Sequence, residues 1–170
     1  AVTYPSAGNI GGGGFMVIHL SDGTNTTIDY REKAPLAATE FLYQDSLGNF
    51  LPEKSQIGVT SSGVPGSVAG LIYALEKYGT LSLAEVIQPA IDLARNGFVL
   101  EYRLARSLEY ETESFNKFES SKKTFTKNGT PYIEGELFIQ NDLAYTLEQI
   151  KLKGLDGFYS GRIAQLIVNQ

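Results

Sequence analysis

No cysteine occurs in the 170 residues. Disulfides, thiolate-bound zinc and thiol catalysis are therefore excluded, while the redox compartment stays open. Basic residues are in the minority too: 14 Lys and Arg face 19 Asp and Glu, a formal charge of −5. Nucleic-acid affinity rests on cations neutralising phosphates, so nucleic acid is not an expected partner. No apolar run approaches the roughly 18 to 20 residues of a membrane span, and no basic stretch leads into an apolar one at the start. These residues thus contain neither a membrane segment nor an export signal. The single histidine, His19, stands inside an apolar run, which favours a hydrogen-bonded structural role over that of a base or ligand. Without a second histidine or a carboxylate cluster, neither a metal site nor a histidine-dependent serine triad is expected.

What is present fits one globular domain over residues 1–170. Its 42% hydrophobic and 19% charged residues are ordinary for a folded chain, and its length allows a sizeable core without disulfide or metal staples. The sequence starts at Ala1 without a methionine, and the terminal "GRIAQLIVNQ" reads as a helix with no stop signal. Both ends are expected to belong to a longer chain.

Four consecutive glycines, Gly11–Gly14, precede the apolar run Phe15–Leu20. A phosphate loop would need Lys and then Ser or Thr after the last glycine, and a dinucleotide fingerprint would need a helix to follow. Phe15 and Met16 follow here, and the run is strand-like. The glycines are therefore expected to supply positive φ and close backbone approach at the entry of a strand buried on both faces. Turn formers at 21–25 and the stretch Thr26–Glu32 complete a predicted hairpin.

Residues 33–65 carry Pro35, Pro52 and Pro65 with no sustained period, and read as connection with a helical turn near Ala37. Val68, Leu71, Ile72, Leu75 and Tyr78 have the spacing of an amphipathic helix, with Gly79 in the capping place. Ser82 and Glu85 form a capping-box pattern for a second helix ending at Asn96 and Gly97, with an apolar face of Val86, Ile87, Ala90, Leu93 and Ala94. Pro89 is expected to kink it. A charged helical stretch spans about 102–118. A turn at Lys127–Thr130 lies between short strand candidates, and a helix runs from Asn141 to Lys153 with Gly154 beyond. The fold class read from this pattern is α/β (α+β): an early β-hairpin followed mostly by helices.

Two places could bind a ligand. In "DYREKAP" (29–35), strand alternation would put Asp29 and Arg31 on one face, and Arg has the planar fork that suits a carboxylate. Spacing favours a structural Asp29–Arg31 ion pair and leaves a ligand site as the alternative. In "SSGVPGSVAGL" (61–71), a tight turn opening a closely packed helix is favoured over an anion site at the helix N-terminus.

The segments "AGNIGGGGFMVIHLSDG", "IDYREKAPLAA", "SGVPGSVAGLIYALEKYGTLSLAEVIQPAIDLARNGF" and "DLAYTLEQIKLKGLDGFYSGRIAQLI" occur in one order over nearly the whole chain. Together they resemble the γ-glutamyltransferases (γ-glutamyltranspeptidases), in part of their large subunit. The resemblance implies a piece of the four-layer αββα N-terminal nucleophile hydrolase fold, matured by self-cleavage of a precursor. It implies cleavage of small γ-glutamyl amides such as glutathione, with transfer of the acyl group to water or an amine, and no cofactor. The nucleophile would be the N-terminal Thr of the small subunit, activated by a neighbouring base such as its own amine. No segment of this chain matches that threonine, the processing site or the oxyanion glycines, so no catalytic residue is expected within it and the small subunit is the expected partner.

One site residue carries over by resemblance: Arg31, in the "RE-x-AP" position, would clamp the α-carboxylate of the γ-glutamyl group. An extracytoplasmic (periplasmic or secreted) location is implied by resemblance only. A cephalosporin acylase-like amidase and a non-catalytic binding domain are the alternatives.

Overall fold

The computed structural model describes residues 1–170 as two small antiparallel sheets among nine α-helices. Strand β1 (Phe15–His19) pairs with β2 (Asn25–Asp29), with Phe15 opposite Asp29 and His19 opposite Asn25. The short helix α1 (Pro52–Gln56) interrupts the connection to α2 (Ser67–Tyr78) and α3 (Leu83–Asn96). Next come β3 (Phe98–Val99), α4 (Tyr102–Tyr110), α5 (Thr112–Phe115), α6 (Glu119–Phe125) and β4 (Leu137–Phe138), which pairs with β3. The last three helices are α7 (Asn141–Lys153), α8 (Asp156–Tyr159) and α9 (Gly161–Val168).

Local chemistry starts and stops the central helices. The Ser82 hydroxyl accepts from the Glu85 N–H, and the Glu85 carboxylate accepts from the Ser82 N–H at 2.8 Å, a reciprocal cap that satisfies two otherwise orphaned donors. α3 continues through Pro89 to Asn96, although proline cannot donate to the helix ladder. Gly97 then turns the chain at φ 78°, the left-handed region that favours glycine.

The principal core lies where α3 meets α7. Ile91 and Ala94 pack there with Ala144, Leu147 and Ile150, joined by Val68 and Ile72 from α2, Phe158 from α8 and Ile163 from α9. Polar contacts along the edges hold the register: Arg95 Nη2 donates to Glu148 Oε2 at 2.9 Å, and buried Gln140 donates to the Val2 carbonyl at 2.9 Å. A satellite core gathers Leu100, Leu104, Ala105 and Leu108 around fully buried Phe138.

Several expectations change. Strand β1 is not buried on both faces: α2 lies against one side of the hairpin, but Phe15 is 65% and Val17 80% exposed, because no third strand or second layer of this chain covers the face they share. β2 ends at Asp29, so Arg31 lies beyond the strand instead of within it. The buried faces of α2 and α3 keep the predicted Val68, Ile72 and Ala94 but differ at other positions: Leu71, Val86 and Leu93 are exposed and Ile91 is central. The segment before Lys127 is the helix α6, and the 102–118 stretch is split into α4 and α5. Near Ala37 there is a turn closed by Ala38 N–H to the Pro35 carbonyl, whereas the helices in that connection are α1 and a single 3-10 turn at Val59–Ser61.

Only 20 of the 170 residues are buried. The accessible surface is 11390 Å², whereas a folded monomer of 18.5 kDa follows a trend of about 8,200 Å². Large hydrophobic side chains stand in that surface, among them Val17, Leu36, Leu47 and Tyr110.

Candidate functional site

The residues Tyr30, Arg31 and Glu32, just past the end of β2, are threaded between two glycine-rich segments. On one side Tyr30 N–H donates to the Gly14 carbonyl at 2.9 Å, extending the hairpin ladder by one pair. On the other, Lys33 and Val64 exchange backbone hydrogen bonds of 3.2 and 2.8 Å. The two glycine segments are tied together in turn, because the N–H groups of Gly66 and Ser67 both donate to the Gly12 carbonyl at 2.9 Å.

Glycine is required here for room. A Cβ on Gly13 would lie 2.6 Å from the Tyr30 carbonyl oxygen and 2.8 Å from the Arg31 Cα. A Cβ on Gly66 would collide with the Tyr30 carbonyl, and one on Gly70 with the Tyr30 side chain. None of Gly11–Gly14 has positive φ, so the expected left-handed backbone is absent from the run, and close approach is what the structure requires of it, at Gly13 above all. The anion reading of the α2 N-terminus also falls, since its leading amides are spent on Gly12 and the Ala69 N–H on Tyr159.

Threading sorts the side chains. Tyr30 lies against Gly14 and Gly70, and Glu32 against Gly12 and Gly63, so both face the glycine walls. The Arg31 side chain is left 63% exposed. Its backbone N–H donates to Asp29 Oδ1 at 3.0 Å, but its guanidinium pairs with Glu32, Nε to Oε2 at 3.5 Å. The predicted Asp29–Arg31 ion pair is thus replaced: the Asp29 carboxylate holds the backbone and the adjacent Glu32 holds the head. The Glu32 carboxyl is held below its ordinary pKa, chiefly by its own backbone N–H and further by the Arg31 guanidinium, against the opposing effect of burial. Arg31 also lies over the Phe15 ring, 5.8 Å from its centroid.

A cavity of about 530 Å³ opens beside Arg31, lined among others by Asp29, Lys33, Pro65, Tyr73 and Tyr159. Its outer wall is tied to the helical core by Tyr159, whose hydroxyl donates to the Pro65 carbonyl at 2.8 Å and accepts from the Ala69 N–H at 3.2 Å. Burial raises the Tyr159 pKa, against the opposing effect of the Ala69 N–H. His19 is hydrogen-bonded as expected, Nδ1 to Asn25 Oδ1 at 2.8 Å, but it is exposed and sits at the far end of the hairpin from Arg31. No group of three or more metal-ligating side chains occurs.

The sequence singled out Arg31 but not the residues packed around it, Tyr30, Phe15 and Tyr159. The i, i+4 glycines Gly66 and Gly70 were a readable sign of a bulky neighbour on that helix face. Nothing local marks Tyr159, which arrives from 90 residues away in sequence.

The fold places the chain among the N-terminal nucleophile hydrolases. It superposes on the crystal structure of Helicobacter pylori gamma-glutamyltranspeptidase with a TM-score of 0.95 at 52% identity, over 98% of this chain and 48% of that one. A cephalosporin acylase from Bacillus halodurans shares the fold at a TM-score of 0.82 but only 22% identity, covering 98% of this chain and 32% of that one. Sequence narrows the class, because the gamma-glutamyltranspeptidase family profile matches residues 1–170. The chain belongs to the gamma-glutamyltranspeptidase family. It is 50% identical over 169 residues to a glutathione hydrolase proenzyme of Pseudomonas sp. (strain A14), covering 99% of this chain. A second such proenzyme, from Escherichia coli K12, is 46% identical over 171 residues and is matched by the whole chain. The chain spans 29% and 30% of the length of these two relatives.

Proposed function

We propose that this chain is the part of a γ-glutamyl hydrolase and transferase that supplies the carboxylate clamp, and that Arg31 is that clamp. The observation that carries the reading is the Arg31 side chain, held on the open side of a glycine-walled strand end with only its Nε edge paired. A planar fork in that state accepts a carboxylate through two parallel charge-assisted bonds. Membership of the family supports a γ-glutamyl group as the bearer of that carboxylate.

The rest of the reaction is assigned to polypeptide beyond these residues. A threonine at the head of a second subunit attacks the γ-amide carbonyl, the amine leaves, and water or an acceptor amine takes the acyl group from the threonine oxygen. The surplus exposed area and the uncovered hairpin face support a second subunit as the cover. Extracytoplasmic residence is part of the same proposal; no helix here is long and apolar enough to cross a membrane.

The test uses a chromogenic γ-glutamyl anilide. The two-subunit enzyme matured from the complete precursor is expected to release the aniline steadily, and residues 1–170 alone are expected to release none. Sustained turnover by the isolated chain would refute the division of labour. A preference of the matured enzyme for glutaryl over γ-glutamyl anilide would instead favour an acylase-like amidase, and fractionation of the source cells tests the compartment.

A further inference from the structure

Phe15 is a large apolar side chain that serves no core. It is 65% exposed and belongs to neither cluster of packed hydrophobic residues, although it stands at the most constrained point of the hairpin, directly after Gly14. Its cross-strand partner is Asp29, the residue whose carboxylate accepts the Arg31 backbone N–H. The same pair of facing residues therefore controls both ends of Arg31: Asp29 its backbone, and Phe15, beneath the guanidinium at 5.8 Å, its head.

A guanidinium has two faces and a set of N–H edges, and here each engaged surface has a different partner. Glu32 takes the Nε edge and the Phe15 ring lies under the cation. The Nη edge is left to fork a carboxylate. An aromatic ring attracts a cation through its negative face without consuming any N–H donor, so it restrains the arginine while leaving that edge available.

We propose that Phe15 is a positioning residue for the carboxylate clamp, holding the Arg31 guanidinium by a cation–π contact in the orientation that receives the substrate carboxylate. This rests on the reading of Arg31 given above. It also assigns a purpose to the glycine run, which brings β1 against Tyr30 and Arg31 closely enough for the Phe15 ring to reach the guanidinium.

The experiment measures KM and kcat for γ-glutamyl anilide in the matured two-subunit enzyme. Phe15→Leu and Phe15→Met, which keep apolar bulk without a ring, are expected to raise KM about two- to fivefold, the effect of one exposed cation–π contact, with a smaller change in kcat. Phe15→Tyr keeps the ring and is expected to stay near the unmutated KM. Replacing Phe15 by di- and tetrafluorinated phenylalanine keeps the ring nearly the same shape while draining its negative face, and KM is expected to climb stepwise with fluorination.

The same KM in all variants would overturn the proposal while leaving Arg31 as the clamp. A rise in the Leu and Met variants but none on fluorination would overturn it as well, by showing that ring volume and not ring charge matters. If the aliphatic variants fail to mature, the fluorinated series decides alone. No turnover of the anilide by the unmutated enzyme would remove the γ-glutamyl reading itself, and this inference with it.

Discussion

In the role proposed for Arg31, a carboxylate is met by a planar fork whose two parallel bonds a lysine ammonium cannot reproduce. Arg31→Lys is expected to lower kcat/KM for γ-glutamyl anilide about tenfold to a hundredfold, corresponding to a charged hydrogen bond of about 1.5–3 kcal/mol. Steady-state kinetics on a variant that still matures checks this. Glu32 adds a pH dependence. Its folded-state pKa lies below the ordinary 4.5, so its contribution to stability is fully present above the ordinary carboxylate range and is lost as the pH falls through the lowered value. An NMR titration of the Glu32 carboxyl is expected to show a depressed midpoint that rises only part of the way in Arg31→Gln, because the larger cause, its own backbone N–H, survives that change. A fully restored midpoint would show that the arginine is the main cause.

Among the elements, α2 and α3 fail in different ways when altered. Gly70 lies inside α2, where helix propensity alone favours Ala by about 1 kcal/mol. The added methyl, however, collides with the Tyr30 Cβ and ring, and an atom so close to the backbone cannot be removed by a rotamer change. Overpacking of this kind costs about 1–3 kcal/mol, so Gly70→Ala is expected to lower the melting temperature of the matured enzyme and to raise KM by displacing Tyr30 and Arg31. Ser82→Ala removes the α3 cap at a cost of about 0.5–2 kcal/mol, with KM expected to stay constant because the cap lies outside the Arg31 cradle. A constant KM in Gly70→Ala would mean that the strand end tolerates displacement. The contrast also explains what was legible: the spans of α2, α3 and α7 were readable because Ser82, Gly79, Gly97 and Gly154 act within a turn of the residues they cap. The buried face of α7 was readable too, at Leu147 and Ile150, but the exposure of Leu71, Val86, Leu93 and β1 was not, because burial depends on which element lies across. The motif singled out Arg31, whereas its ion-pair partner Glu32 was obscured because alternation sends neighbouring residues to opposite faces, and the glutamate still reaches back to the Arg31 Nε.

At the scale of the whole molecule, the surplus exposed area predicts behaviour in solution. Residues 1–170 expressed alone are expected to bind an apolar dye such as ANS and to self-associate, with Val17→Thr reducing both, whereas the matured two-subunit enzyme should bind little dye. Equal dye binding by the two would show that no further polypeptide covers the hairpin. The Tyr159 tie carries a consequence in time. The arginine's cradle is assembled from residues 12–14, 30–33 and 63–70, all within the first 70 of the chain, but its outer wall is fastened by contacts spanning 94 and 90 residues. The longer closure adds about half a kcal/mol of entropy, and Tyr159 is also the last of these residues to be made, so the cradle is expected to form first and the wall later. Tyr159→Phe is then expected to speed unfolding while leaving the folding rate nearly constant, as stopped-flow measurements on the refoldable enzyme would reveal. A newly made chain would hold its arginine in place before the pocket around it had closed.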